Sequence, residues 1–196
     1  GWNIRGMFDN LGQAMQQSAF QVASIITTTG YATTDFNLWP ETSRSMLVLL
    51  MFVGACAGST GGGMKVSRLV ILLKTVKKEL SQFLHPGRVA KIRMDGKVVE
   101  HETIRSINVF MVAYLLIFSL SVLALSFDGT DMITNFTAVA ATFNNIGPGL
   151  EQAGPATNFA MFSNVSKLVM TFDMLAGRLE IFPVLLLFVR DTWRKF

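Results

Sequence analysis

The chain has 196 residues, 51% of them hydrophobic and only 15% charged, against about 25% charged residues in an ordinary soluble domain. Sixteen Phe and eleven Met accompany a formal net charge of +4, a balance that weighs against a soluble globular domain and suits side chains that face lipid or pack between helices. Cys56 is the sole cysteine, which excludes an internal disulfide framework and any multi-cysteine metal site.

In chain order, no signal peptide precedes Gly1, and Gly1–Asn10 reads as the interior of something larger, so the sequence is expected to be a portion of a longer protein. A short apolar helix is predicted over 11–27, followed by the turn Thr27-Thr28-Thr29-Gly30-Tyr31. Met46–Val76 is long enough to cross a bilayer, within a span expected over 45–78, but the run Gly58-Ser59-Thr60-Gly61-Gly62-Gly63 breaks it. Glycines and small hydroxyls hold a helix poorly. The run is not a phosphate loop, because Met64 separates Gly63 from Lys65, no Ser or Thr follows directly, and no strand precedes it.

Lys65–Arg105 carries Lys74, Lys77, Lys78, Arg88, Lys91, Arg93 and Lys97. Basic connecting segments stay on the cytoplasmic side, so 79–100 is expected there, together with the tail Arg190–Arg194–Lys195. Phe83 is almost the only aromatic residue in the patch, which weighs against nucleic acid as its partner. Ile107–Phe127 holds no charge and is the clearest span, set at 105–127. A last span is predicted over 162–190, where the apolar run Ala160–Val189 contains Lys167, Asp173, Arg178 and Glu180.

This orientation leaves Asp128–Phe159 beginning and ending on the outer side. Ile133–Phe143 within it is apolar and helix-compatible, but about 11 residues at 1.5 Å each reach only half of a 30 Å hydrocarbon core. It reads as a re-entrant helix over 132–143, followed by Asn144-Asn145-Ile146-Gly147-Pro148. Laying Gly30 on Gly147 aligns Met15 with Met132, Val22 with Val139 and Ala23 with Ala140. The expected fold is therefore an all-α integral membrane protein built from repeated span–pore helix–filter turn–span units around a central ion pathway. Extended backbone rings can replace an ion's hydration shell with carbonyls, and the C-terminal ends of the two short helices near Ile26 and Phe143 favour a cation.

Five ordered strings, TTTGYATTDFNLWP, GACAGSTGGGMKVSRL, HPGRV, FNNIGPGL and MLAGRLEIFPVLLLF, resemble the Trk/Ktr/HKT superfamily of potassium transporters, and most closely its bacterial TrkH-type branch. The resemblance covers essentially the whole chain. It implies four span–pore–span repeats in a complete polypeptide, of which 1–100 would supply the third without its first helix and 101–196 the fourth. It implies a selectivity filter made by Thr28, Thr29, Gly30 and Tyr31 with Asn145, Ile146, Gly147 and Pro148, potassium being coordinated at Thr28, Thr29, Asn145 and Ile146. Gly58–Gly63 would be a movable intramembrane loop below the filter. A bacterial inner-membrane location, a homodimer and a cytosolic nucleotide-binding (NAD or ATP) ring subunit are implied as well, with the potassium ion as the transported ligand and no cofactor.

Arg178 falls opposite Gly61 when the filter glycines are aligned. A mid-span arginine faces a cavity or a partner, so it reads either as a fixed charge below the filter or as a structural partner of Asp173 or Glu180. His85 and His101 lack metal-ligand spacing. An enzyme is not expected: Ser59 has no base at its depth, and Asp35 and Asp173 lie at different depths. A membrane subunit that has lost conduction is the alternative.

Overall fold

A computed structural model describes residues 2–53, 63–85, 91–179, 181–189 and 193. The described chain is mostly helical, in agreement with the composition. Its main helices are α1 (Leu11–Ile26), α2 (Glu41–Phe52), α3 (Val66–Leu84), α4 (His101–Ser126), α5 (Met132–Phe143), α6 (Asn164–Leu179) and α7 (Ile181–Leu186). A two-stranded antiparallel hairpin, β1 (Arg93–Met94) and β2 (Lys97–Val98), lies between α3 and α4. The all-α expectation did not include it. Asp95 and Gly96 at the turn both take positive φ, the backbone a two-residue type I′ turn requires.

Helix α4 contains an 18-residue window of mean hydropathy 2.4, and its 26 residues extend about 39 Å at 1.5 Å per residue. It starts at His101, earlier than the apolar run alone indicates. Its inward stripe is Ile107, Phe110, Tyr114, Phe118, Ser121 and Leu125, all buried, the three-to-four spacing of one helix face. Val109, Val112, Leu115, Leu116, Leu120 and Leu123 lie exposed on the others.

The core is an aromatic seam that α4 shares with its neighbours. Phe118 meets Phe52 of α2 at 5.5 Å between ring centroids and Phe136 of α5 at 5.1 Å, both edge-on. Tyr114 lies 4.7 Å from Phe143 at the end of α5. Against these large rings α5 sets Ala138, Val139, Ala140 and Ala141, all fully buried. Small residues let helix backbones approach, which is how helices associate where lipid removes the hydrophobic drive.

The predicted span over 45–78 is divided. Helix α2 ends at Phe52 and α3 begins at Val66, and Val53 pairs with Met64 in a single parallel bridge. Gly58, Ser59, Thr60, Gly61 and Gly62 of the predicted loop lie outside the described residues; Gly63 lies within them. Helix α3 runs on to Leu84, beyond the predicted end of the span at 78. Along the last predicted span, helix is described over Asn164–Leu179 and Ile181–Leu186, with Glu180 outside the described residues.

Helix α5 begins where Asp131 accepts hydrogen bonds from the Thr134 backbone N–H (3.0 Å) and hydroxyl (2.5 Å). The Thr134 bonds hold the Asp131 carboxyl below its ordinary value of 3.8. The cap is therefore fully present above that value and is lost as pH falls through the depressed one. Replacing Asp131 with Ala should lower stability by about 1 kcal/mol, and Asn should keep most of it, as measured by thermal melting of the detergent-solubilised protein at pH 7.

Candidate ion pathway

The two short helices end in the same way. After α1, the Thr28 N–H bonds the Ile25 carbonyl at 3.1 Å and the Thr29 N–H bonds the Ser24 carbonyl at 2.9 Å. After α5, the Asn145 N–H bonds the Thr142 carbonyl at 3.0 Å and the Ile146 N–H bonds the Ala141 carbonyl at 2.8 Å. These are the paired bonds of a Schellman motif, which needs a left-handed residue just past the cap. Thr28 and Asn145 fill that place with φ of 54° and 55°. Asn tolerates the left-handed region, whereas a β-branched Thr is strained there.

Two residues later each turn reaches its glycine, Gly30 at φ 79° and Gly147 at φ 111°. The turns meet at these glycines. A Cβ on Gly30 would fall on the Ile146 carbonyl oxygen, and a Cβ on Gly147 would lie 3.8 Å from the Gly30 Cα. Thr28, Thr29, Asn145, Ile146 and Gly147 line one pocket of about 410 Å³ with Met170, Thr171 and Met174 of α6. Of the eight predicted filter residues, Gly30, Tyr31 and Pro148 are not in its wall; Tyr31 is exposed, and the Pro148 ring packs beside Gly30. Lys167 also lines the pocket, its amine donating to the Ala160 carbonyl at 3.2 Å.

Each turn is braced from its own helix. The Ser24 hydroxyl donates to the Tyr31 carbonyl at 2.6 Å, and Gln17 is hydrogen-bonded to Thr33. In the second copy Thr137 accepts from the Leu150 N–H at 2.9 Å and Thr134 from the Gln152 N–H at 3.3 Å. Thr134 stands where Gln17 does when the glycines are aligned. The outer loops are tied to each other: Asn37 donates to the Glu151 carbonyl (3.0 Å) and accepts from its N–H (2.9 Å), while the Arg44 guanidinium pairs with the Glu151 carboxylate.

Below the turns, Asn144 caps α5 with no exposed surface. Its amide donates to the Ala140 carbonyl (2.8 Å) and its oxygen accepts from the Tyr114 hydroxyl (2.8 Å). A Cβ on Gly63 would come within 3.0 Å of that same oxygen, so the end of the glycine-rich run rests on the residue that closes α5. Gly63, Lys65, Arg68 and Arg178 converge there on a cavity of about 30 Å³, room for a water molecule. Arg178 is exposed and, among the described residues, pairs with neither Asp173 nor any other group. Asp173 is instead buried against α4, accepting from the Ser121 hydroxyl at 2.8 Å. Glu180 lies outside the described residues.

The sequence reading overlooked Asn144, Tyr114 and Gly177. Gly177 is the contact between α6 and the pore-helix end: a Cβ there would overlap the Phe143 carbonyl oxygen and approach the Asn145 amide at 2.9 Å. A lone glycine amid an apolar helix was the available signal. Replacing Tyr114 with Phe leaves the buried Asn144 oxygen without its hydroxyl donor and should cost about 1–3 kcal/mol; Gly177→Ala should cost more, because backbone must move. Thermal melting of the two variants, compared under one detergent condition, checks both.

Comparison with known proteins gives consistent matches. The family described as TrkH, cation transport protein, matches residues 8–195. The Trk system potassium uptake protein TrkH of Escherichia coli K12 is 39% identical over 98% of this chain and 39% of its own length. The Trk system potassium uptake protein TrkG of the same organism is 38% identical over 99% of this chain and 39% of its own length. The crystal structure of the potassium transporter TrkH from Vibrio parahaemolyticus superposes with a TM-score of 0.87 at 39% identity, covering 97% of this chain and 40% of that one. The chain thus spans about two fifths of the length of the relatives it matches.

Proposed function

Because the chain belongs to the TrkH family of cation transport proteins, we propose that it forms part of the potassium pathway of a membrane-integral uptake subunit, contributing two of the segments that line its filter. The observation that carries this reading is the pair of short helices whose ends close on one hydrogen-bond pattern and whose turns meet glycine to glycine. Two helix C-termini then direct partial negative charge towards one place, beside the pocket lined by Thr28, Thr29, Asn145 and Ile146. The family relation supplies potassium as the ion: the relatives are named as potassium uptake proteins.

On this reading the backbone carbonyls of Thr28, Thr29, Gly30 and Tyr31, with those of Asn145, Ile146, Gly147 and Pro148, replace water around a dehydrated cation. Glycine is required at Gly30 because its φ is left-handed and the Ile146 carbonyl oxygen occupies the place of a side chain. Gly58–Gly63 act as the intramembrane gate, and Arg178 adds a fixed positive charge beneath the filter. The small cavity among Gly63, Lys65, Arg68 and Arg178 supports a closed state, since it holds a water but not a hydrated cation. The subunit is placed in the bacterial inner membrane with 79–100 and the C-terminus on the cytoplasmic side. It is a homodimer regulated by a cytosolic nucleotide-binding ring.

The reading is tested with the full-length protein in proteoliposomes. Arg178→Ala should raise rubidium flux severalfold; unchanged flux would remove Arg178 from the barrier. Gly30→Ala should reduce potassium uptake at least tenfold, measured by potassium-dependent growth of a transport-deficient cell and by the potassium-to-sodium flux ratio. A full-length wild-type protein that supports no such growth would point to the non-conducting alternative.

A further inference from the structure

We propose that the face shared by α3 and the β1–β2 hairpin is a binding site for the phosphate of an anionic phospholipid headgroup. Lys74, Lys77, Lys78 and Ser81 recur at the spacing of one helix face and, with Lys91 and Arg93, line a pocket of about 270 Å³. The Lys74 amine donates to the Arg93 carbonyl at 2.7 Å, which fixes the hairpin's two cations against the helix's three. Ile92, buried beneath the hairpin, anchors it there. No carboxylate lines the pocket among the described residues. Lys77, Lys78, Lys91 and Arg93 make no ion pair among those residues. Gathering five like charges without a counter-charge is unfavourable, so the arrangement calls for an anion.

The same helix indicates that the anion belongs to a lipid. Leu73, Val76, Leu80, Phe83 and Leu84 are all exposed, and their spacing forms an apolar stripe on α3 next to the basic one. A helix that leaves the membrane with an apolar stripe beside lysines keeps its apolar side chains in the acyl region and its cations among phosphates. A free phosphate or nucleotide would satisfy the charge but make no use of that stripe. The inference uses the membrane-integral character of the family alone and does not depend on which ion is carried.

The test is lipid binding by the full-length protein in neutral detergent, followed by native mass spectrometry. Phosphatidylglycerol should bind about tenfold or more tightly than phosphatidylcholine. The K77Q/K78Q/R93Q variant should lose that preference, and K77R/K78R/R93K should retain it, which separates lost charge from lost folding. A wild type without preference, or a preference that survives the glutamine variant, would overturn the proposal. Displacement of the lipid by millimolar inorganic phosphate or ATP, with no effect of the acyl chains on affinity, would also overturn it by assigning the site to a soluble phosphate. Loss of preference in the glutamine variant while rubidium flux persists would establish the lipid site separately from the transport reading.

Discussion

A helix that ends part-way through a bilayer leaves its last carbonyls without partners, and in hydrocarbon no water supplies them. On the proposed reading α1 and α5 end in that way, and the backbone that follows each of them meets the constraint. At the end of α5 the Ala140 carbonyl takes the Asn144 N–H and side-chain amide, Ala141 takes Ile146 and Gly147, and Thr142 takes Asn145. At the end of α1 the Ala23, Ser24 and Ile25 carbonyls are served in the same order by the backbone that follows, with the Thr27 hydroxyl standing in for the Asn144 amide. The left-handed residues Thr28 and Asn145 are the consequence, because only that backbone brings the N–H groups round to the carbonyls.

Closing the helix ends locally frees the next residues from hydrogen-bonding duty to the helix. They must then be held by something else. Around α5 the support comes from neighbouring helices: Tyr114 of α4 holds Asn144, the Asn145 amide donates to the Met174 carbonyl of α6 at 3.1 Å, and Gly177 lets α6 lie directly on the Phe143 carbonyl. Around α1 the Ser24 hydroxyl and Gln17 take most of the load, and Gln21 adds a longer contact to the Thr34 carbonyl. The Asn37–Glu151 exchange then couples one outer loop to the other. The two turns share a backbone but are stabilised by different chemistry.

That difference explains what was legible in the sequence. The half-length of Met132–Phe143, the paired glycines and the apolar run of α4 are properties of spacing and hydropathy, and they stand in the sequence directly. The left-handed Thr28 was not legible, because a Thr there contradicts local preference and only the close fit of the surrounding turn stabilises it. Tyr114 and Asn144 stand thirty positions apart, so nothing local pairs them. Gly177 matters only because α6 crosses the end of α5. The hairpin at Arg93–Val98 is too short to leave a periodic signal, and its only cue was the pair Asp95-Gly96.

Magnitudes bear on how the proposed gate divides its work. A unit charge about 10 Å from a cation, at an effective dielectric of about 20, costs about 1.7 kcal/mol, or roughly a seventeenfold change in occupancy. Arg178 acting alone through such a field slows a cation without stopping it, and the opposite partial charges at the ends of α1 and α5 offset part of its effect. A seal therefore requires sterics as well as charge. Gly63 packs on the Asn144 amide oxygen, and that amide belongs to the residue that closes the pore helix. On the proposed reading, lifting the loop opens the path and at the same time unloads the Gly63 contact on the cap of α5. The proposed gate and the proposed filter are then joined through one buried amide, which the Tyr114 hydroxyl holds.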